Sequence, residues 1–499
     1  MSDMSATVEP TAKGFAVCGY EKIEYDFEFL DGVFNPANPQ LYQLYSPWGR
    51  CLAVMDLNIF NLYGQEMQRY FDHYGIPLTI HKTMIGEKAK SMDTLLSIVD
   101  SMTDFGIYRK EPVLVVGGGL VTDVAGFACA AYRRNTNYIR IPTTVIGLID
   151  ASVSIKVAVN YGRYKNRLGA YHAPSHTFLD FTFLRSLPVA QIRNGFAELI
   201  KISTCAHKET YDLLEKYCEQ LIDTGFGRSD EASPEIKVVA DKICRAGIHE
   251  MLKLETPNLH EIMLDRVIAY GHTWSPLHEL VPETPLRHGH AISIDMAYSA
   301  TLANIRGLLS SDEHKRLLNL FSRAGLSMDH PDFNADLLEK ATAAILKTRD
   351  GKLRAAVPIN PMGDCVFLND VSHKDMVAAL EEHKRIMKSY PREGAGLEAF
   401  VDSSDTGYTV NGAPVENGKA NAHQVAMNGI ENSKLHASGP EGVDGLQQES
   451  SGSSSSDEDY VLGNSKTNGQ QEKGILSDVK EKVVGLQNQV AKAVTVQSQ

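Results

Sequence analysis

Two histidines and a glutamate stand out as a possible metal-ligand set: His272 in GHTW, His288 in RHGHA and Glu198 in NGFAELIKIS. Two imidazoles and a carboxylate suit a catalytic zinc that keeps one position open for substrate or water. The gap between the imidazoles has no local geometric meaning, unlike a pair four apart on a helix, so on spacing alone packed or capping histidines are the favoured reading. Glu198 and Lys201 lie three apart and share a helix face, which fits an active site or an ordinary exposed ion pair. A basic and polar group occupies LIDASVSIKVAVNYGRYKNRLGAYH: Asp150, Lys156, Lys165, Asn166 and Arg167. Lysine binds phosphate as a point charge and asparagine adds neutral donors and an acceptor, although a solvated loop has the same composition. Finally, GGGLVTDVAG follows the apolar run PVLVV and opens a helical segment. Three glycines at a strand end let a phosphate approach the backbone and meet the N–H groups at the helix start. The pattern is not GxGxxG and no acid follows about twenty residues later, so a tight turn without ligand stays open. An acid does occur earlier, as Asp56 after CLAVM.

These residues need elements to position them. Short apolar runs at 51–55, 77–80, 113–116 and 138–141 read as strands, several apolar on both faces. They alternate with helical segments at 60–74, 92–103 and 121–132, which predicts a parallel sheet covered by helices. Beyond about residue 190, long amphipathic segments dominate (194–205, 235–254, 289–306) and strand signals become sparse. The expected organisation is an α/β domain over 1–190, a mainly α-helical domain over 191–393 and an unstructured tail over 394–499. The tail is rich in Gly, Ser, Asn, Gln and acids, and its run SSGSSSSDEDY cannot bury enough apolar area to offset its ordering entropy. Near its end Leu476, Val479, Val483, Leu486, Val490 and Val494 form one helical stripe, which could dock a partner of unspecified kind or form a transient helix with none.

The composition, 43% hydrophobic and 22% charged over 499 residues, is that of a globular protein. A net charge of −13 argues against nucleic acid or anionic lipid as partners. The seven cysteines are scattered, with no CxxC pair, and read as reduced thiols. The first residues lack a basic start followed by an apolar run, and no apolar stretch approaches the roughly 20 residues that span a bilayer. A cytoplasmic protein is expected.

Taken in order, GGGLVTDVAG, IPTTVIGLIDASVSIKVAV, KNRLGAYH, NGFAELIK, GHTW and HGHA resemble the dehydroquinate-synthase-like sugar-phosphate cyclases over residues 15–390. The resemblance implies an N-terminal NAD-binding domain, a helical C-terminal domain and a cleft between them. On motif matches, Asp56, Asn58, Glu87, Lys90, Gly118, Gly119, Asp123, Thr143 and Thr144 would hold NAD. Glu198, His272 and His288 would bind Zn2+, or another divalent metal such as Co2+. Asp150, Lys156, Lys165, Asn166 and Lys201 would hold the hydroxyls and phosphate of a sugar phosphate. Family members are homodimers, and Arg134 would reach the phosphate across the interface. The implied chemistry is transient oxidation by NAD, elimination of phosphate next to the new ketone, return of the hydride and an intramolecular aldol closure.

The chain departs from the dehydroquinate synthases themselves. Ser275-Pro276 follows GHTW where those enzymes carry a second histidine, His290 stands for the glutamate of HGE, and Thr348 replaces a substrate-binding lysine. These changes argue against dehydroquinate synthesis, and the region instead resembles the cyclases that use sedoheptulose 7-phosphate. Within that group the 2-epi-5-epi-valiolone synthases tend to carry Leu, Asp and His at three positions, and the desmethyl-4-deoxygadusol synthases Glu, Ala and Thr. This chain has Glu255, Ala269 and Thr348, which match the second set. The resemblance therefore implies a lyase-type cyclase opening mycosporine-type biosynthesis, with valiolone formation as the alternative. Glu255 could assist the extra loss of water, or simply pair with a lysine.

Overall fold

Strands that are apolar at every position can be stable only with both faces covered, and the chain meets that demand with a six-stranded parallel sheet. The computed structural model describes residues 5–83, 86–162, 164–402 and 405. An antiparallel hairpin, β1 (Ser5–Thr11) and β2 (Gly14–Tyr20), precedes the sheet. The sheet is then built from β3 (Asp26–Phe29), β4 (Cys51–Asp56), β5 (Leu78–Thr83), β6 (Val113–Gly117), β7 (Tyr138–Pro142) and, after a hairpin described below, the strand His176–Leu179. Helices α1 (Gln40–Tyr45), α2 (Leu57–His73), α3 (Met92–Phe105) and α4 (Gly119–Ala131) lie between these strands. The hairpin is β8 (Lys156–Tyr161) with β9 (Tyr164–Tyr171), so His176–Leu179 is β10. Strand order is β3-β10-β7-β6-β4-β5, parallel throughout, with Ala53 opposite both Ile80 and Leu114.

Period-two alternation divides each central strand between two cores. Cys51, Ala53 and Met55 face a cluster with Tyr70, Phe71 and Phe178, while Leu52 and Val54 face one with Ile98, Val124 and Cys129. From β4 the chain adds β5 on one side and β6 on the other. Asp56 and Gly117, at the carboxyl ends of β4 and β6, therefore flank a topological switch point, where open α/β sheets form ligand crevices.

The second half is helical: α5 (Val189–Ala206), α6 (Lys208–Asp223), α7 (Pro234–Glu255), α8 (Ser275–His278), α9 (His288–Ile305), α10 (Ser311–Arg323) and α11 (Ala335–Thr348). A short hairpin, β11 (Ala355–Pro358) with β12 (Cys365–Leu368), and α12 (His373–Met387) complete it. α9 is largely small or apolar and buried from Gly289 to Ala303, and α5, α8, α10, α12 and β11 pack against it. Ser, Asn or His side chains cap α6, α7, α10, α11 and α12, each such cap contributing about 1 kcal/mol.

The expected start of the tail needs correction. Residues 394–402 and Asp405 are seated on the helical half instead of being unstructured. Leu397 N–H donates to Gly325 O at 2.8 Å, Phe400 bridges to Leu286, and Val401 N–H donates to Pro285 O at 3.0 Å. Composition missed this because the segment is held by backbone pairing and ion pairs, not by apolar burial. The terminal stripe from Leu476 to Val494 lies outside the described residues. Five cysteines are buried, Cys365 is partly so and Cys18 is exposed. No helix among the described residues is long and apolar enough to cross a membrane.

Candidate active site

The helical half brings Glu198, His272 and His288 together although they are far apart in sequence. Glu198 sits mid-α5, His288 is the first residue of α9, and His272 lies in the loop before α8. Two features force the approach. A Cβ on Gly289 would stand 2.2 Å from Asn194 O, so only glycine lets the start of α9 touch α5. Asp295, fully buried on α9, accepts the N–H groups of Thr273, Trp274 and Ser275 at 2.9, 2.6 and 2.8 Å, which fixes the loop that carries His272.

His288 Nε2 then stands 3.0 Å from Glu198 Oε1 and 3.3 Å from His272 Nε2. The other ring nitrogens are occupied: His272 Nδ1 lies 3.1 Å from Tyr270 O and His288 Nδ1 3.2 Å from Glu279 Oε2. Placing the ring protons on Nδ1 to suit those acceptors leaves two Nε2 lone pairs and a carboxylate oxygen aimed at one point. Three converging lone pairs, all within 4.8 Å, fit a divalent cation, and each imidazole already has the outer partner that metal-bound histidines use. Zinc suits this N/N/O set, and such a triad leaves a position open.

The electrostatics follow from burial and neighbours. Burial favours the neutral form of Glu198, but Lys201 and the two imidazoles hold its carboxyl well below the usual range. Burial and the Lys201 ammonium push His272 down to about 3. For His288, burial is outweighed by Glu198 and Glu279, which push it up to about 10. Lys201 Nζ reaches Glu198 Oε2 at 2.5 Å and Asp150 Oδ2 at 3.1 Å, so this pair is buried and not the exposed ion pair that spacing allowed. Burial raises Asp150 to about 6 against the pull of Lys201.

The basic group is an ordered hairpin. Lys156, at the start of β8, lies 2.9 Å from Glu261 and 3.5 Å from Glu255. Lys165, on β9, lies 2.7 Å from Glu279 Oε1 and 3.5 Å from Glu87. Glu279 thus joins the hairpin to the metal triad. Asn166 adopts φ 51° and its N–H donates to Asn160 Oδ1. Glu255 is the buried last residue of α7, and Ala269, also buried, accepts the His272 N–H at 2.9 Å. Thr348 is exposed at the end of α11, its hydroxyl donating to Ile345 O, and the neighbouring Arg349 reaches His272 O. Arg134 is exposed on the turn after α4, at φ 69°. His290 points away from the triad, to Ser327 Oγ at 2.9 Å.

At the switch point Gly118 is the N-cap of α4 and offers no side-chain acceptor, so the first-turn N–H groups stay available to an anion. A Cβ on Gly118 would fall 3.1 Å from Thr144 Cγ2, and one on Gly119 3.3 Å from Ala151 Cβ. Thr143 donates its N–H to Gly117 O, and its buried hydroxyl has no partner among the described residues. Thr144 Oγ1 accepts the Gly147 N–H. Lys90 and Asp123 pair at 2.5 Å. Asp56 caps α2 through the Ile59 N–H, with Asn58 in the first turn, and burial raises its carboxyl to about 6. A dinucleotide's phosphates fit this cradle of small residues and open donors.

Sequence reasoning overlooked Asn194, Glu261, Glu279 and Asp295. Asp295 had a signal, being two helical turns from His288 on one face. Glu279 and Glu261 had none, because their lysine partners Lys165 and Lys156 lie more than a hundred residues away.

Comparisons with known proteins agree with this geometry. The N-terminal and C-terminal models of 3-dehydroquinate synthase match residues 80–194 and 195–348. A demethyl-4-deoxygadusol synthase of Trichormus variabilis is 55% identical over 400 residues, covering 80% of this chain and 97% of that protein. A 2-epi-5-epi-valiolone synthase of Streptomyces hygroscopicus subsp. jinggangensis is 38% identical, covering 73% and 88%. The solved structure of ValA, the 2-epi-5-epi-valiolone synthase from that organism with NAD+ and Zn2+ bound, superposes with a TM-score of 0.69 at 37% identity over 74% of this chain and 99% of ValA.

Proposed function

Because the chain belongs to the dehydroquinate-synthase-like family of sugar-phosphate cyclases, we propose that it converts sedoheptulose 7-phosphate to desmethyl-4-deoxygadusol with loss of phosphate. The observation that carries this reading is the triad of buried Glu198 with half-buried His272 and His288, which Lys201 joins through Glu198 and Lys165 through Glu279. In this reading the triad holds Zn2+, with Co2+ as a substitute, and the switch-point cradle of Asp56, Gly118, Gly119, Thr143 and Thr144 holds NAD. When bound, these groups supply Lewis-acid polarisation of an oxygen and a reversible hydride acceptor.

The chain's own residues do the rest. Lys165 and Asn166 take the phosphate, and the flanking carboxylates Glu87 and Glu279 keep the lysine extended until the substrate arrives. Lys201, between Asp150 and Glu198, donates to a substrate oxygen beside the triad. Holding the reacting groups in one orientation converts an aldol closure into an intramolecular step. Glu255 sits against Lys156 and takes the proton of the additional dehydration, while Ala269 leaves room beside it. The helical half over 191–393 and the α/β half over 1–190 bring metal and cofactor to one substrate. The working unit is a cytoplasmic homodimer in which Arg134 crosses the interface to the phosphate.

Incubating the protein with sedoheptulose 7-phosphate, NAD and zinc tests the proposal. Phosphate release with a rising near-ultraviolet band, and no net NADH, supports it. Phosphate without that band would assign valiolone-type cyclisation, and NADH in proportion to product would assign a dehydrogenase.

A further inference from the structure

Residues 394–402 and Asp405 lie across the two helices that carry Glu198 and His288, and their polar contacts close a ring. Arg287, immediately before His288, is almost fully buried, yet among the described residues its guanidinium bonds only to this segment. Nη2 lies 2.9 Å from both Asp402 and Asp405, Nε lies 3.3 Å from Asp405 Oδ1, and Nη1 donates to Glu398 O. Asp405 also accepts from Gln191 Nε2 on α5. Gln191 Oε1 accepts from Asn194 Nδ2 at 3.0 Å, and Asn194 Oδ1 accepts the Gly289 N–H. The ring thus runs Arg287, Asp405, Gln191, Asn194, Gly289, with His288 inside it and Glu198 one helical turn beyond Asn194. A second tie on α5 is Arg193 with Glu398, at 2.9 Å.

The Arg287 backbone is held as well. Its N–H donates to Ala399 O at 2.8 Å, and its own carbonyl starts α9 by accepting from His290 and Ala291. Deeper in the segment, Gly396 N–H donates to Ser327 Oγ, which also contacts His290 Nδ1, and a Cβ on Gly396 would sit 2.6 Å from that nitrogen. The start of α9 is therefore gripped from both sides, by Asn194 and by the segment. A buried guanidinium needs anions, and Asp402 and Asp405 are the carboxylates that supply them.

We propose that residues 394–402 with Asp405 form a strap that clamps α5 to α9 and sets the spacing of the metal ligands, with Asp402, Asp405 and Arg287 as positioning residues. This rests on the reading of Glu198, His272 and His288 as a metal site. A ligand displaced by a fraction of an ångström binds a metal more weakly while the hydrophobic core stays intact. The strap thus acts on metal affinity more than on folding.

The test titrates Co2+ into the metal-free, full-length protein and follows its visible absorption. It compares the natural chain with Asp402→Asn/Asp405→Asn and, should the double variant not fold, with Asp405→Asn alone. Thermal unfolding of each metal-free protein is recorded in parallel. The expected result is a ~10–100-fold loss of Co2+ affinity with a small change in melting temperature, and recovery of most of the affinity in Asp405→Glu. Affinity within twofold of the natural chain, whatever the melting temperature, would overturn the strap's role while leaving the metal site standing. If the natural chain itself takes up no Co2+ or Zn2+, the metal reading fails and the strap's role falls with it.

Discussion

The switch-point cradle and the metal triad lie in one protein but are built in opposite ways. The cradle is made of backbone: glycines and a helix start supplied by Gly117–Ala131, with the turn after β7 packed beside them. The triad is made of side chains whose ligand atoms three separate elements bring within 4.8 Å of one another. Backbone donors need only a local turn and no large side chains. Side-chain ligands need two helices at one spacing and outer partners that fix each ring. The difference teaches where each site is vulnerable: added atoms damage the first, and lost partners damage the second.

The sharpest way to break that contrast is Glu198→Ala. It should abolish bound zinc and lower the rate of phosphate release by about 10³-fold or more, since Lewis-acid assistance is worth several kcal/mol. Metal analysis and a phosphate assay on the same preparation check it, and an active protein retaining stoichiometric zinc would refute the ligand assignment.

On the cradle side, Asp56 gives a pH signature. Its carboxyl is raised from 3.8 to about 6 by burial, so the folded chain holds that proton more tightly than the unfolded chain. The contribution to stability is therefore fully present below 3.8 and lost as the pH rises through 6, a change of about 3 kcal/mol. Asp56→Asn keeps an oxygen for the helix cap and should remove this slope. Chemical denaturation at pH 4, 5, 6 and 7 measures it, and parallel curves for the two proteins would contradict the assignment.

Glu279→Gln sharpens the comparison from the triad side. It keeps the shape but removes the negative charge between His288 and Lys165, and metal affinity should drop ~10–100-fold. Zinc competition against a chelator reads this directly. Gly118→Ala is the smallest change. Its methyl would press on Thr144 Cγ2 at 3.1 Å and intrude on the cradle, so NAD affinity should weaken by about tenfold, or 1.4 kcal/mol. Metal content should be unchanged, and calorimetry with NAD shows whether the two sites are separable as the contrast requires.

How much was legible in the sequence follows the same division. The strands at 51–55, 113–116 and 138–141 appear within a residue of their expected ends, because a run apolar on both faces has few other places to go. The strand expected at 77–80 lies at Leu78–Thr83 instead, where an edge position with polar residues hides the periodicity. The site residues were named by the ordered motifs and their family resemblance, not by spacing. Thr348 matched its motif position, and the structure shows it exposed at a helix end beside Arg349, which reaches His272 O.

The sequence by itself determined the parallel sheet, the glycine turn at its switch point and the chemical types of the candidate metal ligands. Each of these is encoded within a short stretch, by apolar periodicity or by residues whose backbone or donor atoms admit few uses. Only the tertiary structure decided that His272 and His288 face one point and that Glu279 and Asp295 hold them there. It alone decided that Lys201 is buried between two carboxylates, and that the first residues of the expected tail grip Arg287. Those outcomes depend on helix packing across tens to hundreds of residues, where a charged side chain's partner is set by which helices meet and not by its neighbours in the chain.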